Sequence, residues 1–375
     1  MNETQPSTNP IGVAIVGCGS IALANHLPGL ALHPRASLVA LCDQNEAALA
    51  KAKQSVADRF PQWQGVRTTT DPADVYSAGD VSAVVIATPN ASHPPLAKSA
   101  AAAGKHVLCE KPLALSGDDA ASMLRAAEAA GVRHMTAFTY RFVPAMRYLK
   151  HLVDRGDLGR PIHFRAQRFQ DWGDRPLGWR QTKALAGTGE IGDMLSHRLD
   201  YAHHLVAPIA SVAATTGRFH QSRGDAMSDV DDWVSVLARF DGSDASGNLE
   251  STKLATGVGE GYGGRDVVEL NGEAASALYS TQQPLQLQLS RRGEDGYQSI
   301  EVPREFHVWP GCPRDPGEGD PRVTFRYDQS YEFIDAIAED RDCRPSFREG
   351  VAVQRVMDAV VEAAEARAWV DVKRS

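Results

Sequence analysis

The chain has 375 residues, too long for one ordinary domain and comfortable for two. Hydrophobic residues make up 43% and charged residues 23%, close to the globular average, which excludes disordered and collagen-like classes. The formal net charge of −8 argues against nucleic acid or an anionic membrane as the main partner and leaves a neutral ligand open.

Residues 1–10 are polar, with no basic stretch leading into an apolar core, and read as a frayed tail rather than a secretion signal. No apolar run reaches the roughly 20 residues of a membrane helix. Short apolar runs then recur at 12–16, 38–42, 81–87, 106–109 and, more weakly, 133–137. Ala-rich helical stretches such as 94–103 and 118–130 lie between them. Strands buried on both faces read as continuous apolar runs, so this rhythm predicts a doubly wound parallel sheet over residues 1–137.

The pattern changes near Arg141. Strand-like runs follow at 162–168, 234–240, 248–254 and 267–270, several of them alternating apolar with polar, as an antiparallel sheet with one wet face requires. Residues 303–321 are rich in Pro and Gly and read as a loop. The last ~45 residues read as helical, most strongly at 331–339 and 350–366. Residues 138–375 are therefore expected to form a second domain. The five cysteines, Cys18, Cys42, Cys109, Cys312 and Cys343, are odd in number and widely spaced, which argues against a disulfide framework or zinc ribbon and for a reducing cytoplasm.

Gly17-Cys18-Gly19-Ser20-Ile21-Ala22 matches G-x-G-x-x-G/A, directly after a predicted strand and opening a predicted helix. Gly17 permits the tight turn, Gly19 lets the backbone approach a pyrophosphate, and Ala22 allows close helix–strand packing. The N–H groups at the helix start, Ser20 and Ile21 among them, suit phosphates. The other reading is a Gly-rich turn without a ligand. Asp43, at the end of the second apolar run, suits both ribose hydroxyls of NAD and repels the 2′-phosphate of NADP, and no Arg or Lys follows at once. NAD is thus favoured over NADP, although Asp43 also reads as a helix N-cap.

Two further segments sit at carboxyl ends of parallel strands, where open α/β sheets place ligands: Thr88-Pro89-Asn90 with His93, and Glu110-Lys111-Pro112. A residue before Pro is pushed to extended geometry, so Lys111 is expected to project into the crevice. Alone, E-K-P would read as an exposed turn.

These segments, together with the block from Gly189 through Asp193 and His197 to Asp200 and the ending Pro345-Ser346-Phe347, Gly350 and Trp369-Val370, resemble the glucose–fructose oxidoreductase / inositol dehydrogenase (Gfo/Idh/MocA) family over nearly the whole chain. The resemblance implies an N-terminal Rossmann domain and a C-terminal α+β domain. The latter is built on a large, mostly antiparallel sheet often used for oligomerisation, so a homo-oligomer, dimer or tetramer, is expected. It implies that Lys111 is the active-site lysine, that Lys111–Pro112 is a cis peptide, and that Asp193 and His197 face substrate. It also implies that Thr88, Pro89, Asn90, His93 and Glu110 line the cofactor site, and that Tyr140 and Arg141 contact nicotinamide or substrate. One departure is Gly187-Thr188-Gly189 where the family has three glycines.

The residues support this chemistry on their own terms. Asp193 and His197 are four apart on a predicted helix and share a face. An imidazole of ordinary pKa is a suitable base for a hydroxyl proton while hydride leaves the same carbon. Asp193 suits orientation of substrate or of the proton path, and the Lys111 ammonium suits an oxygen becoming a carbonyl. A metal site helped by His203 and His204 lacks further ligands at a convincing spacing, so no metal is expected; an ordinary surface helix is the other reading. The loop Phe169-Gln170-Asp171-Trp172-Gly173-Asp174-Arg175, with Gly178-Trp179-Arg180, offers indoles for sugar C–H faces and guanidiniums for oxygens. Trp172, Trp179 and Arg180 are thus candidate substrate contacts, or else the indoles pin the loop to the core. Trp309 and the segment from Gly261 to Arg265, with Tyr262, are weaker candidates.

The function that follows is an NAD-dependent dehydrogenase acting on a secondary hydroxyl of a sugar, glycoside, anhydrosugar or cyclitol. The alternatives are an enzyme that retains NAD and cleaves or epimerises a glycoside, and a non-catalytic nucleotide-binding sugar sensor. The presence of Lys111 together with His197 argues against the sensor.

Overall fold

The computed structural model describes residues 9–173, 175–176, 178–223 and 226–373. Strands β1 (Ile11–Val16), β2 (Ala36–Cys42), β3 (Arg67–Thr69), β4 (Ala83–Ile86), β5 (His106–Cys109) and β6 (His134–Thr136) form one parallel sheet in the order β3-β2-β1-β4-β5-β6. Helices α1 (Leu27–Leu32), α2 (Glu46–Arg59), α3 (Pro72–Ser77), α4 (His93–Ala102) and α5 (Gly117–Ala129) cover it. Because side chains alternate along a strand, β1 splits between two cores: Val13 and Ile15 join Leu27, Leu30 and Val56 on one face, and Ala14 and Val16 join Val84, Ile86 and Ala100 on the other. Both faces are dry, which is why these runs are uniformly apolar. Strand β3 escaped the sequence reading because it is a three-residue edge strand of polar residues, paired on one side only.

The chain continues through α6 (Pro144–Asp154), β7 (Pro161–Phe169), α7 (Lys183–Ala186), α8 (Ser196–Leu205), β8 (Ile209–Gly217) and the small hairpin β9 (Ser222–Arg223) with β10 (Ala226–Met227). Strands β11 (Trp233–Phe240), β12 (Ser243–Thr252), β13 (Arg265–Gly272), β14 (Ala275–Ser280), β15 (Gln286–Arg291) and β16 (Gln298–Glu301) follow, then α9 (Pro321–Thr324), α10 (Tyr327–Ala338), α11 (Phe347–Ala366) and β17 (Val370–Asp371). The second sheet has nine strands in the order β16-β15-β14-β13-β7-β12-β11-β8-β17 and is antiparallel except for β7 beside β12. The expected α/β plus α+β architecture is present. Strands β8 and β14 to β17 were not anticipated. Strand β8 is largely Ala, Ser and Thr, whose apolar alternation is faint, and β14 to β17 are six residues or fewer, although Gln286-Leu287-Gln288-Leu289 in β15 alternates cleanly.

The inner face of the second sheet changes character along its strands. Phe164, Leu249 and Leu270 sit in the apolar core, whereas Arg168, Ser251 and Asp266 extend the same face toward the parallel sheet. The register places Arg168 beside both Ser251 and Asp266. This polar end of an otherwise apolar face is where the cavity described below opens.

The last helices return to the parallel sheet. Phe333, Ile334 and Ala336 of α10 complete the core that holds Leu27 and Leu30. From α11, Phe347 and Val351 enter the core on the opposite face, while Val353, Val356 and Val360 pack in the second unit. A capping box starts α11: Ser346 accepts from the Arg348 N–H while Glu349 accepts from the Ser346 N–H at 2.7 Å.

Gly29 marks how closely α1 and α10 approach. A Cβ there would lie 2.9 Å from the Cβ of Ser330 and against the Tyr327 backbone. In an open helix Gly→Ala stabilises by up to about 1 kcal/mol. Here Gly29→Ala is expected to destabilise instead, by roughly 1–3 kcal/mol, because the overpacked atom meets backbone. Chemical denaturation of the variant measures this, and a gain in stability would show that the two helices separate freely.

Candidate active site

The first turn after β1 is built for close approach. Gly17 has φ +93°, and a Cβ on it would lie 2.6 Å from the Ala87 carbonyl, so both conformation and space demand glycine. A Cβ on Gly19 would meet nothing within 4 Å, which leaves its backbone open to a ligand. The following helix begins with a π-helical turn, Ala22–His26, before α1. Asp43 stands at the end of β2; its Oδ2 accepts from the Cys18 N–H at 2.7 Å and its Oδ1 from the Asn45 N–H at 2.9 Å. The cap of α2 is Asn45, which accepts from Ala47 and Ala48 N–H, so Asp43 is not the N-cap. An open backbone at Gly19 with a carboxylate tied to the same turn fits a dinucleotide with free ribose hydroxyls.

A cavity of about 230 Å³ opens between the carboxyl ends of the parallel strands and the polar end of the second sheet. From the parallel unit it receives Ile21, Thr88, Asn90, Glu110 and Lys111. From the second it receives Tyr140, Trp179, Arg180, Asp193 and His197. An adjoining cavity of about 480 Å³ shares Trp179, Arg180 and Asp193 and adds Ser20 and Trp172. Trp172 is buried there, with the Lys253 ammonium 4.8 Å above its ring. Asp174 and the Tyr262 side chain lie outside the described residues.

Other expected contacts are placed elsewhere. Arg141 turns away from the cavity and grips Asp200 with two bonds, at 2.8 and 2.6 Å. His93 is buried beneath the strand-end loops, its ring nitrogens facing the carbonyls of Pro112 at 3.1 Å and Thr88 at 3.0 Å. Burial outweighs the pull of those carbonyls and lowers its pKa, so the neutral ring donates to one carbonyl at a time and ties the loops together. Pro89 precedes the 3₁₀ turn Asn90–Ser92 and does not line the cavity. Trp309 packs on Phe142 at 4.8 Å and donates to Glu332, away from the cavity.

Lys111 and Asp193 form the centre. The Lys111–Pro112 peptide is cis, and the Lys111 Nζ donates to the backbone carbonyl of Asp193 and to its Oδ1 at 3.2 Å. Asp193 belongs to a π-helical turn, Ile191–Leu195, that runs into α8, where His197 follows. The regular helix expected here is thus locally widened, a feature frequent at functional sites. Asp231 starts the turn by accepting from Gly189 N–H at 2.7 Å and Ile191 N–H at 2.9 Å. In the departing tripeptide, Gly187 has φ +80° and Thr188 lines the cavity with an Oγ1 that has no partner among the described residues.

The cations set the protonation states. Burial alone would raise Asp193, but Lys111, Arg180 and Lys253 hold it at about 2, so it is a carboxylate throughout the working range. Glu110 is likewise raised by burial and lowered further by its bond to His26 at 2.9 Å and by the charges of His26 and Lys111. His197 departs from expectation. Burial first, then Lys111, Arg198, Arg326 and Arg168, push it well below an ordinary imidazole, so it is neutral and a weaker base than the sequence suggested. Its Nδ1 is buried with no partner among the described residues, and Tyr140 meets its ring edge-on at 4.5 Å.

Several of these residues were not anticipated. Arg326 arrives from beyond β16, with no local signal. Arg168 had one: in the predicted strand 162–168 it shares parity, and hence a face, with the apolar Phe164 and Ala166. Glu190 is fully buried, accepts from Ser251 Oγ at 2.5 Å, and is raised to about 7, chiefly by burial, with Lys253 opposing and Asp193 adding.

A raised carboxyl favours the folded state in its protonated form. The contribution of Glu190 is therefore full below its ordinary 4.5 and lost as pH rises through about 7. Glu190→Gln does not titrate, so between these limits the variant is expected to lose less stability than the parent, by up to about 3 kcal/mol. Calorimetry across that window decides it, and parallel curves would mean that Glu190 is ionised throughout.

Comparison with known proteins agrees with this geometry. Residues 11–138 match the oxidoreductase family with an NAD-binding Rossmann fold, and residues 146–278 match the GFO/IDH/MocA C-terminal domain. Levoglucosan dehydrogenase of Pseudarthrobacter phenanthrenivorans is 33% identical over 334 residues, covering 81% of this chain and 83% of that protein. An inositol 2-dehydrogenase of Rhodococcus erythropolis is 36% identical over 154 residues, 40% of this chain and 41% of that one. A levoglucosan dehydrogenase solved in complex with NADH and levoglucosan superposes with a TM-score of 0.87 at 30% identity, over 98% of this chain and 100% of the other. With both domains matched and a relative this similar over most of its length, the chain belongs to the Gfo/Idh/MocA family of oxidoreductases.

Proposed function

We propose that the chain is an NAD-dependent dehydrogenase that moves hydride between a secondary hydroxyl carbon of a sugar, glycoside, anhydrosugar or cyclitol and the nicotinamide. The observation that carries this reading is the convergence of Lys111, Asp193 and His197 on one cavity beside the glycine turn. Relatives named for levoglucosan and inositol dehydrogenation support the substrate class. The dinucleotide-binding part is assigned to residues 1–137 and the substrate and oligomerisation part to residues 138–375.

The residues divide the work as follows. Gly17, Gly19, Ser20 and Ile21 offer backbone to the pyrophosphate, and Asp43 accepts from the ribose hydroxyls and disfavours NADP. Thr88, Asn90 and Glu110 border the nicotinamide end. NAD, when bound, supplies the hydride chemistry. Lys111, fixed by Asp193, points its charge at the oxygen that gains carbonyl character and stabilises negative charge there. Asp193 stays ionised and orients both Lys111 and a substrate hydroxyl. Neutral His197 accepts a hydrogen bond from the reacting hydroxyl and takes its proton as the carbonyl forms. Trp179 and Arg180, stacked at 4.3 Å, present an apolar face and a donor to the ring.

Five free cysteines support a reducing cytoplasm, and among the described residues no helix is long and apolar enough to cross a membrane. A homo-oligomer, dimer or tetramer, is proposed through the outward face of the nine-stranded sheet, where Leu237 is 52% exposed between Ser235 and Arg239. Light scattering on a sizing column tests it, and a monomer at micromolar concentration would remove it.

Initial rates of NADH formation across a panel of sugars, glycosides, anhydrosugars and inositols test the activity. Lys111→Ala is expected to lower kcat by roughly 10²–10⁴ with NAD still bound. Asp43→Ser is expected to shift the NAD-to-NADP ratio of kcat/KM by tenfold or more toward NADP. Silence of the parent across the panel would sink the dehydrogenase reading.

A further inference from the structure

The cavity is lined by more cations than carboxylates: Lys111, Arg168, Arg180 and Arg326 against Glu110 and Asp193. Both carboxylates are engaged, Glu110 with His26 at 2.9 Å and Asp193 with Lys111 at 3.2 Å and Arg180 at 3.7 Å. Arg168 has no carboxylate to itself. It is 3% exposed, so water cannot serve as its counter-charge. The carboxylate beside it, Asp266, is 3.7 Å away and is committed to Arg198, whose Nη2 reaches both of its oxygens at 2.6 Å. Behind the cavity one carboxylate thus serves two buried guanidiniums. Arg168 Nη2 donates to the Gly261 carbonyl at 2.5 Å and, with the Gln170 amide turned to face it, to that oxygen at 2.9 Å. These are neutral acceptors. The Nε–H of Arg168 is buried with no partner among the described residues. Burying a guanidinium without its own counter-ion is costly, and a ligand that brings the missing charge removes the cost.

We propose that the sugar or polyol substrate carries a carboxylate, as a uronic or aldonic acid does, and that Arg168 receives it on the buried wall of the cavity. The proposal rests on the dehydrogenase reading and narrows its substrate class. A guanidinium holds a planar carboxylate through directed N–H donors, which a lysine in its place would not reproduce. The arrangement also bears on His197, whose basicity is suppressed by burial and by the field of Lys111, Arg198, Arg326 and Arg168. A carboxylate bound at Arg168 offsets that field and strengthens the base only while an acidic substrate is present.

The experiment compares matched compounds with NAD: glucose with glucuronate, galactose with galacturonate, and glucose 6-phosphate beside both. The acid of the better pair is expected to show at least tenfold higher kcat/KM than its neutral partner. In Arg168→Met that ratio should collapse toward one, chiefly through the KM of the acid, with partial recovery in Arg168→Lys. A parent enzyme that prefers the neutral sugar, or the phosphate to the carboxylate, overturns the proposal without any variant having to fold. So does a variant that loses activity equally on both partners, since that marks a structural role. Calorimetric titration of the NADH-loaded protein with the same compounds separates the two readings. An acid that binds without turnover sinks the dehydrogenase and keeps the carboxylate site, whereas failure of every acid to bind sinks the site.

Discussion

The contact between Lys111 and Asp193 joins the two halves of the molecule at the point where chemistry is possible. One partner lies two residues past the end of β5 in the parallel sheet, and the other sits in the π-helical turn leading into α8. Their side chains are only 13% and 20% exposed, so the charges interact in a medium far less screening than water. Much of the surrounding structure holds this pair in register. His93 ties the Thr88 and Pro112 loops beneath Lys111, Asp231 starts the π-helical turn that carries Asp193, and Arg180 adds a second cation to the carboxylate. A pair that loses one member in such a place leaves a buried charge behind, so its two elements cannot drift independently.

The inner face of the second sheet applies the same logic on a larger scale. Period-two alternation lets one strand supply a core and a site at once: Phe164 and Ala166 are packed apolar residues, and Arg168, two places further on the same face, is a buried cation. Neighbouring strands do likewise with Leu249 and Ser251, and with Val268 and Asp266. The apolar part fixes the register, and the register fixes which polar groups meet. The cavity's field is therefore a property of strand pairing as much as of any one side chain.

What the sequence disclosed follows from this division. The parallel strands are legible because burial on both faces forces continuous apolar runs, and β3 is not because an edge strand is free of that demand. The glycine turn, Lys111 and the Asp193–His197 spacing are legible because each is written in contiguous residues. Arg326 is not, since only tertiary folding brings it to the cavity. Arg141 shows the opposite failure: adjacent in sequence to Tyr140, it turns the other way because Asp200 offers a buried bidentate partner. The protonation state of His197 was the least accessible, as it depends on cations from four separate segments of the chain.

The return of α10 and α11 has a consequence for how the molecule comes into being. Leu27 and Leu30 belong to the first tenth of the chain, yet their core is closed by Phe333, Ile334 and Ala336. On a ribosome, the nucleotide-binding part emerges long before the residues that seal it, and its α1 surface stays uncovered until α10 has been made. The N-terminal half is thus a dependent module. Grafting it alone onto another partner would leave an apolar face bare, and exchange between relatives would have to carry α10 along with it.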